Sequence, residues 1–304
     1  MNEATGWEAS GTSARLAILA RAVRVHQWLK NVLLLVPPVL AHEIFQVPVL
    51  WRLALGFLSF SLCASAAYLL NDLRDLEADR AHPSKRFRPV ASGQLPQETA
   101  KMVVPVLLMV AVSLTFFLPP LFLAVLALYF AFTVAYSWRL KRAPLVDVLV
   151  LAGLYTLRII AGGAATGTPV SFWLLAFSMF AFLSLGLVKR YAELSNLVAQ
   201  GGDRPPGRGY AAVDLEGLAQ FGSSSAYMAV LVLALYINSE AVGVLYSRPE
   251  IIWLLCPLVL YLLSRIWLLA RRGEVHEDPL LFILEDRRTY LLAAFGGLLL
   301  WLAI

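Results

Sequence analysis

Leu50–Asp79 reads LWRLALGFLSFSLCASAAYLLNDLRDLEAD. From Leu50 to Leu70 the only charge is Arg52; from Asn71 onward four of nine side chains are acidic. A helix crossing the hydrocarbon core needs about 20 apolar residues, so the first part is a span and the second its polar continuation. Working outward, similar runs fall near Trp28–Phe45, Lys101–Leu118, Leu121–Trp138, Leu145–Thr166, Phe172–Val188, Ser225–Val244, Ile251–Ala270 and Thr289–Ile304. With Leu50–Leu70 that makes nine, the first interrupted by Pro37-Pro38 and the last the shortest.

Composition agrees. Of 304 residues, 60% are hydrophobic and 15% charged, with a mean hydropathy of +0.72. Soluble domains average about 45–50% apolar and about 25% charged. These figures exclude a soluble globular fold, a disordered chain and a disulfide scaffold. Cys63 and Cys256 both sit inside apolar runs, so no CxxC metal site exists. The expectation is an all-α integral membrane protein with nine transmembrane helices.

Charge sets the orientation, because cytoplasmic loops of membrane proteins are enriched in Lys and Arg. With nine spans and a cytoplasmic N-terminus, 22 of the 25 basic residues fall on the inner side. Arg52 and Arg248 fall outside, and Arg158 lies within a span. The C-terminus is then outside, and the long, charged inner connections place any chemistry at the cytoplasmic face of the plasma membrane. Residues 1–20 read as a mostly disordered cytoplasmic tail and 21–304 as a single transmembrane domain. Ala14–Trp28 has helical spacing suited to lying on the inner membrane surface. No signal-peptide pattern is present.

Asp72, Asp75 and Asp79 are spaced i, i+3 and i+7, which places three carboxylates on one face of a continuing helix. Like charges so arranged repel unless a cation lies between them. Mg²⁺ takes oxygen ligands and bridges carboxylates to phosphate oxygens, so the motif points to a Mg²⁺–diphosphate site. A solvated helix end paired to Arg74 and Arg80 is the plainer alternative. Downstream, Pro83 and Pro89 bracket a loop carrying Lys85, Arg86 and Arg88, suited to phosphate oxygens. An ordinary basic inner loop would look the same. Arg158 lies about 16 Å along its helix from Asp147 at 1.5 Å per residue. An arginine that deep implies an anionic partner inside the bundle or a structural ion pair.

Asn71-Asp72-x-x-Asp75-x-x-x-Asp79, followed by His82-Pro83-x-Lys85-x-x-Arg88-Pro89, resembles the first aspartate-rich signature of the UbiA superfamily of intramembrane prenyltransferases. The resemblance covers about residues 21–304, taking in Gln27-Trp28-x-Lys30-Asn31 and Tyr136-Ser137. It implies a helical bundle around a lipid-accessible cavity, with Mg²⁺-bound diphosphate near the inner mouth. Where many members carry a second aspartate-rich motif, this chain has Lys189-Arg190-Tyr191-Ala192-Glu193. That departure resembles the decaprenyl-phosphate phosphoribosyltransferase branch.

In that branch the donor is phosphoribosyl pyrophosphate and the acceptor a polyprenyl phosphate lipid, a step in cell-envelope biosynthesis. The resemblance implies that Asp72, Asp75 and Asp79 hold the metal and pyrophosphate as the catalytic residues, with Asn71 orienting them. Lys30, Lys85, Arg88, Arg158, Lys189 and Arg190 would bind substrate phosphates. Tyr191 and Glu193 would meet the sugar, and Asp278 would help shape the polar site. Two rival expectations stand: transfer of a polyprenyl group from its diphosphate to an aromatic or other small acceptor, and a non-catalytic lipid carrier or flippase. Expected partners are the bilayer and these substrates, not nucleic acid; a homo-oligomer is left open. The Gly- and Pro-rich stretch Gln200–Tyr210 reads as a cytoplasmic flap or a linker.

Overall fold

The computed structural model describes residue 7 and residues 11–82, 84–205, 207–275 and 279–304. Among these residues every regular element is helical. Two compact units emerge, Met1–Ser137 with Arg158–Pro169, and Trp138–Leu157 with Val170–Ile304.

In the first unit α1 spans Thr12–Ala22, overlapping both the end of the expected tail and the Ala14–Trp28 stretch whose spacing predicts a helix. It is ordered because Ile18 and Ala22 join a cluster with Ala66, Leu69, Leu76, Leu95 and Val104. A 3-10 segment follows over Val25–Leu35, then the five-residue α2, Val36–Leu40. The expected first span is therefore not one kinked α-helix. Pro37 and Pro38 lie in the opening turn of α2, where their missing N–H groups cost nothing. They could not have continued a helix from Trp28, since each removes a bond to the preceding turn.

α3 covers Val47–Arg74, about 42 Å at 1.5 Å per residue, enough to cross the core and carry its last turns beyond it. Its buried face is rich in small residues, including Gly56, Ser59, Ser61, Ala64, Ser65, Ala66 and Ala67. Such residues let membrane helices approach closely and exchange hydrogen bonds. Ser61 and Ser65, one turn apart, bind the 3-10 segment. Asn31 Nδ2 donates to Ser61 Oγ (2.9 Å) and Trp28 Nε1 to Ser65 Oγ (2.9 Å), whose hydroxyl donates to the Val23 carbonyl (2.8 Å). After the short α4, Leu76–Ala81, come α5 (Gln97–Thr115), α6 (Pro120–Trp138) and α7 (Val146–Thr166). Ser59 Oγ ties α3 to the Ala111 carbonyl of α5 (2.7 Å). At Gly162 on α7 a Cβ would lie 2.0 Å from the Leu34 carbonyl oxygen, so only glycine admits the 3-10 segment there.

Residues 146–157 of α7 count with the second unit. It continues with α8 (Phe172–Ala199), α9 (Leu215–Ile237), α10 (Glu240–Leu245), α11 (Pro249–Ile252), α12 (Leu255–Arg271), α13 (Pro279–Glu285) and α14 (Arg287–Ala303). α8, α9 and α12 lock at one point. Trp267 Nε1 donates to Ser184 Oγ (2.9 Å), and Ser184 donates to the Gly222 carbonyl (2.8 Å). A Cβ on Gly222 would fall 1.9 Å from the indole ring of Trp267.

Among the described residues seven helices are long and apolar enough to cross a membrane: Val47–Arg74, Gln97–Thr115, Pro120–Trp138, Val146–Thr166, Phe172–Ala199, Ala212–Ile237 and Pro249–Arg271. They correspond to the second through eighth expected spans. The seventh begins well before Ser225, because the polar start of α9 after Asp214 is helical too. The expected ninth is α14, whose 17 residues give about 25 Å of helix, short of an about 30 Å hydrocarbon core. Asp286 caps α14 by accepting from Thr289 N–H (3.1 Å), and Arg265 grips the same carboxylate at 2.8 and 3.2 Å. Asp286, within the acidic stretch before this helix, is thus engaged in an end-cap and an ion pair. Asp278 lies outside the described residues.

Candidate functional site

The acidic motif lies where α3 gives way to α4. α3 stops at Arg74, and Asp75, at φ −89° and ψ 16°, separates it from α4, so the expected continuous helix breaks at the middle carboxylate. Asp72 and Asp79 are buried, whereas Asp75 and Asn71 are half-buried. Arg88 Nη1 donates to Asp72 Oδ1 (3.1 Å) and Asp79 Oδ2 (2.6 Å). Arg24 Nη2 donates to the same Asp72 oxygen. Lys85 stands exposed in the short 3-10 turn Lys85–Phe87. The turn is pinned by His82, whose Nδ1 accepts from the Ser84 and Lys85 N–H groups (3.2 and 3.4 Å). Desolvation and the Lys85 charge hold His82 below the ordinary imidazole range.

Whether this donor set fits Mg²⁺ can be judged from its own chemistry. Two hard carboxylate oxygens, from Asp72 and Asp79, converge on a single cationic nitrogen of Arg88. Mg²⁺ is typically bound through one or two carboxylates, with phosphate and water oxygens completing its shell. The pair fits. Among the described residues no group of three or more His, Cys, Asp or Glu side chains forms a metal cage. Asp72 and Asp79 share the Arg88 cation, as their spacing of two helical turns allows.

Deeper in the same unit Arg158 is buried beside Asn31. Its Nε donates to Asn31 Oδ1 (3.0 Å) and its Nη2 to the Tyr129 hydroxyl (3.0 Å). The guanidinium lies over the rings of Tyr129 and Phe60, at 4.9 and 5.5 Å. A planar, weakly hydrated cation suits such an aromatic lining better than an ammonium would. Lys30, on the same 3-10 segment as Asn31, is also buried.

The second unit has its own polar centre. Arg190 Nε donates to Asp147 Oδ2 (2.5 Å), and its Nη1 donates to Glu193 Oε2. The Tyr210 hydroxyl donates to Asp147 Oδ1 (2.6 Å) and accepts from the Leu145 N–H (2.8 Å). Burial and the bond to Asp147 raise Tyr210 well above the usual phenol range, so it stays a donor. Leu145 takes φ +63° to present that N–H. Arg208 Nε lies 3.8 Å from Glu193 Oε2.

Arg190 and Glu193, expected to meet phosphate and a sugar, bond to each other and, through Arg190, to Asp147. Tyr191, also assigned to the sugar, packs edge-on against Trp267, with ring centroids 5.8 Å apart. Lys189 is half-buried on the same turn. The stretch 200–210 is anchored at its end by Tyr210. A Cβ on Gly209 would meet the Arg142 carbonyl at 2.5 Å, so the backbone passes too closely for a side chain. An apolar cavity of about 380 Å³ opens in this unit, walled by Leu145, Val148, Phe180, Leu187 and Met228. Its walls suit hydrocarbon and not phosphate.

Sequence reasoning missed Arg24, Asp147 and Tyr210 as site-forming residues. Arg24 counted only toward inner positive charge, and Asp147 only as a landmark for Arg158. Tyr210 looked like the end of a loop. Nothing in spacing marks partners 43, 48 and 63 positions apart.

The sequence profile of the UbiA prenyltransferase family matches residues 35–292. Nodulation protein NoeC of Azorhizobium caulinodans is 37% identical over 271 residues, covering 87% of this chain and 86% of its own length. The uncharacterized protein y4nM of Sinorhizobium fredii is 40% identical over 275 residues, 90% of this chain but 53% of y4nM. Decaprenyl-phosphate phosphoribosyltransferase of Mycobacterium tuberculosis is 42% identical over 183 residues, 59% of this chain and 61% of that protein. The chain thus spans only about half to three-fifths of two of these relatives. Among solved structures, a UbiA homolog from Archaeoglobus fulgidus bound to GPP and Mg²⁺ superposes with a TM-score of 0.70. It is 18% identical, over 94% of this chain and 99% of that one, a likeness of fold. The profile match and the NoeC alignment, each running most of the chain's length, meet the helical fold and its acidic motif on common ground: this chain belongs to the UbiA prenyltransferase family.

Proposed function

We propose that the protein is a membrane-embedded, Mg²⁺-dependent transferase that moves 5-phosphoribose from phosphoribosyl pyrophosphate to a polyprenyl phosphate, of decaprenyl type, releasing pyrophosphate. The observation that carries this reading is the convergence of Asp72 and Asp79 on the single guanidinium nitrogen Arg88 Nη1. The similarity to decaprenyl-phosphate phosphoribosyltransferases over more than half of the chain supports the choice of donor and acceptor. In this reading the chain keeps nine membrane crossings with its N-terminus inside. The 3-10 segment with α2 and the short α14 supply the first and last, and the site faces the cytoplasm from the plasma membrane.

The reaction breaks the bond from ribose C1 to the pyrophosphate oxygen and forms one from C1 to a lipid phosphate oxygen. Bound to Asp72 and Asp79, with Asp75 alongside, Mg²⁺ would supply charge neutralisation for the departing pyrophosphate. Asn71 orients that group, and Arg88 and Lys85 turn to its phosphate oxygens. The acceptor is already anionic, so the protein needs no strong base; its work is positioning and charge compensation. In the first unit Lys30 and Arg158 are the further cations proposed to attract substrate phosphate; in the second, Lys189 and Tyr191 are the residues proposed to meet substrate. Arg190, Glu193, Asp147 and Tyr210 form the frame that holds the inner end of α8.

Purified protein supplied with labelled phosphoribosyl pyrophosphate, decaprenyl phosphate and Mg²⁺ tests the reading: a labelled lipid and free pyrophosphate are expected. Product formed only from a prenyl diphosphate and an aromatic acid would replace it with prenyl transfer. Lipid movement that survives Asp72→Ala would replace it with a carrier.

A further inference from the structure

Arg24 has no part in the scheme above, yet its surroundings are unusual. Its backbone lies in the left-handed region, φ 54° and ψ 53°, where the 3-10 segment begins. Side chains larger than glycine rarely adopt that conformation, and it persists only where surrounding contacts impose it. Two such contacts exist. The guanidinium stacks over the Tyr68 ring at 5.1 Å, one helical turn before Asp72, and its Nη2 donates to Asp72 Oδ1. That oxygen also receives Arg88 Nη1 at 3.1 Å. One carboxylate oxygen therefore carries two guanidinium donors. Arg88 is additionally shared with Asp79 and travels with the motif's own loop, whereas Arg24 reaches in from a separate segment.

We propose that Arg24 is a positioning residue, a built-in counter-ion that holds Asp72 in place and yields its oxygen to an arriving divalent cation, thereby setting how tightly that cation binds. The inference rests on the reading of Asp72 and Asp79 as the metal–diphosphate site. A guanidinium and a divalent ion compete for the same lone pairs, and each disfavours the other by charge. Displaced from Asp72, a guanidinium seated on Tyr68 stays beside the motif, and its fork is suited to phosphate oxygens. Loss of Arg24 leaves Arg88 to neutralise Asp72, so the fold keeps its ion pair.

The test uses the full chain in detergent, with Mn²⁺ as the probe, read by electron paramagnetic resonance without substrate. Arg24→Gln is expected to bind Mn²⁺ about fivefold more tightly than the unaltered protein, because one positive charge is gone from a partly solvated site. Arg24→Lys, which keeps the charge, stays near the unaltered affinity, and Asp72→Asn binds more weakly. General structural damage would weaken binding, never tighten it. Equal or weaker binding by Arg24→Gln, with normal binding by the unaltered protein, overturns this inference alone. No Mn²⁺ binding by the unaltered protein overturns the metal reading and this inference with it. In metal-free protein, backbone amides of residues 25–35 are expected to exchange hydrogen faster in Arg24→Gln and Asp72→Asn alike; unchanged exchange in both overturns the holding role.

Discussion

Arg190 Nε lies 2.5 Å from Asp147 Oδ2, and only 2% and 0% of the two side chains are open to solvent. Glu193 and Tyr210 close the network on either side. Removing one member of a buried ion pair strands the other charge, which typically costs about 3–5 kcal/mol. Asp147→Ala and Arg190→Ala should each lower the thermal midpoint in detergent sharply. Asp147→Asn, which keeps an acceptor for Tyr210, should lower it less. An Arg190→Ala protein of unchanged stability that has lost affinity for the diphosphate donor would make Arg190 a phosphate-binding residue and not a part of the frame.

At the other polar centre the expected loss is of turnover. Asp72→Asn and Asp79→Asn keep the shape of each side chain and delete its charge. Each should reduce transfer by about 10²–10³-fold, the size seen when a group stabilising developing charge is removed. Elution as an intact, monodisperse species should be unaffected. Asp75→Asn, altering a half-buried carboxylate at the helix break, should cost less than either. Equal losses in all three would restore a three-carboxylate cage.

Gly222 tests the packing. A methyl there would lie 1.9 Å from the Trp267 ring, which itself bonds Ser184. Gly222→Ala should cost about 1–3 kcal/mol as an overpacked contact. Trp267→Phe in the same chain should recover part of that loss, a coupling readable from thermal midpoints of the two single variants and the double one.

Asp286 gives a pH dependence whose sign can be worked out. Burial alone would push its carboxyl up, but donors from Arg265 and Thr289 outweigh that and hold it below the ordinary carboxylate range. A carboxyl depressed in the folded state adds stability above its unfolded value, about 4. That contribution fades as pH falls from there through the lower folded value. Asp286→Asn should therefore lower the thermal midpoint at neutral pH and differ progressively less from the unaltered protein in acid. A constant difference down the acid range would detach Arg265 from this role.

Seven spans were legible because an uninterrupted apolar run of about 20 residues matches the thickness of the hydrocarbon core and is too long for the buried stripe of a soluble helix. The first was not, because hydropathy is blind to backbone form: Trp28–Phe45 is apolar enough, yet the prolines divide it into a 3-10 piece and a short helix. Asp72 and Asp79, two helical turns apart, were legible from spacing, since a single residue of irregular backbone between them does not separate them. The bond from Arg190 to Asp147 was not legible, because a cation in sequence carries no sign of its partner and Asp147 lies 43 residues earlier. Arg24 was hidden among many inner arginines, distinguished only by a left-handed backbone that no composition reports.

The hydroxyl ladder on α3 bears on how the chain is built. Asn31 precedes α3 and α7 in the chain, yet it finds its partners on Ser61 and Arg158, which are synthesised after it. Polar groups without partners are not tolerated in hydrocarbon. The bonds of Asn31 can form only once α3 and then α7 have followed it, so this segment completes its packing later than its place in the chain.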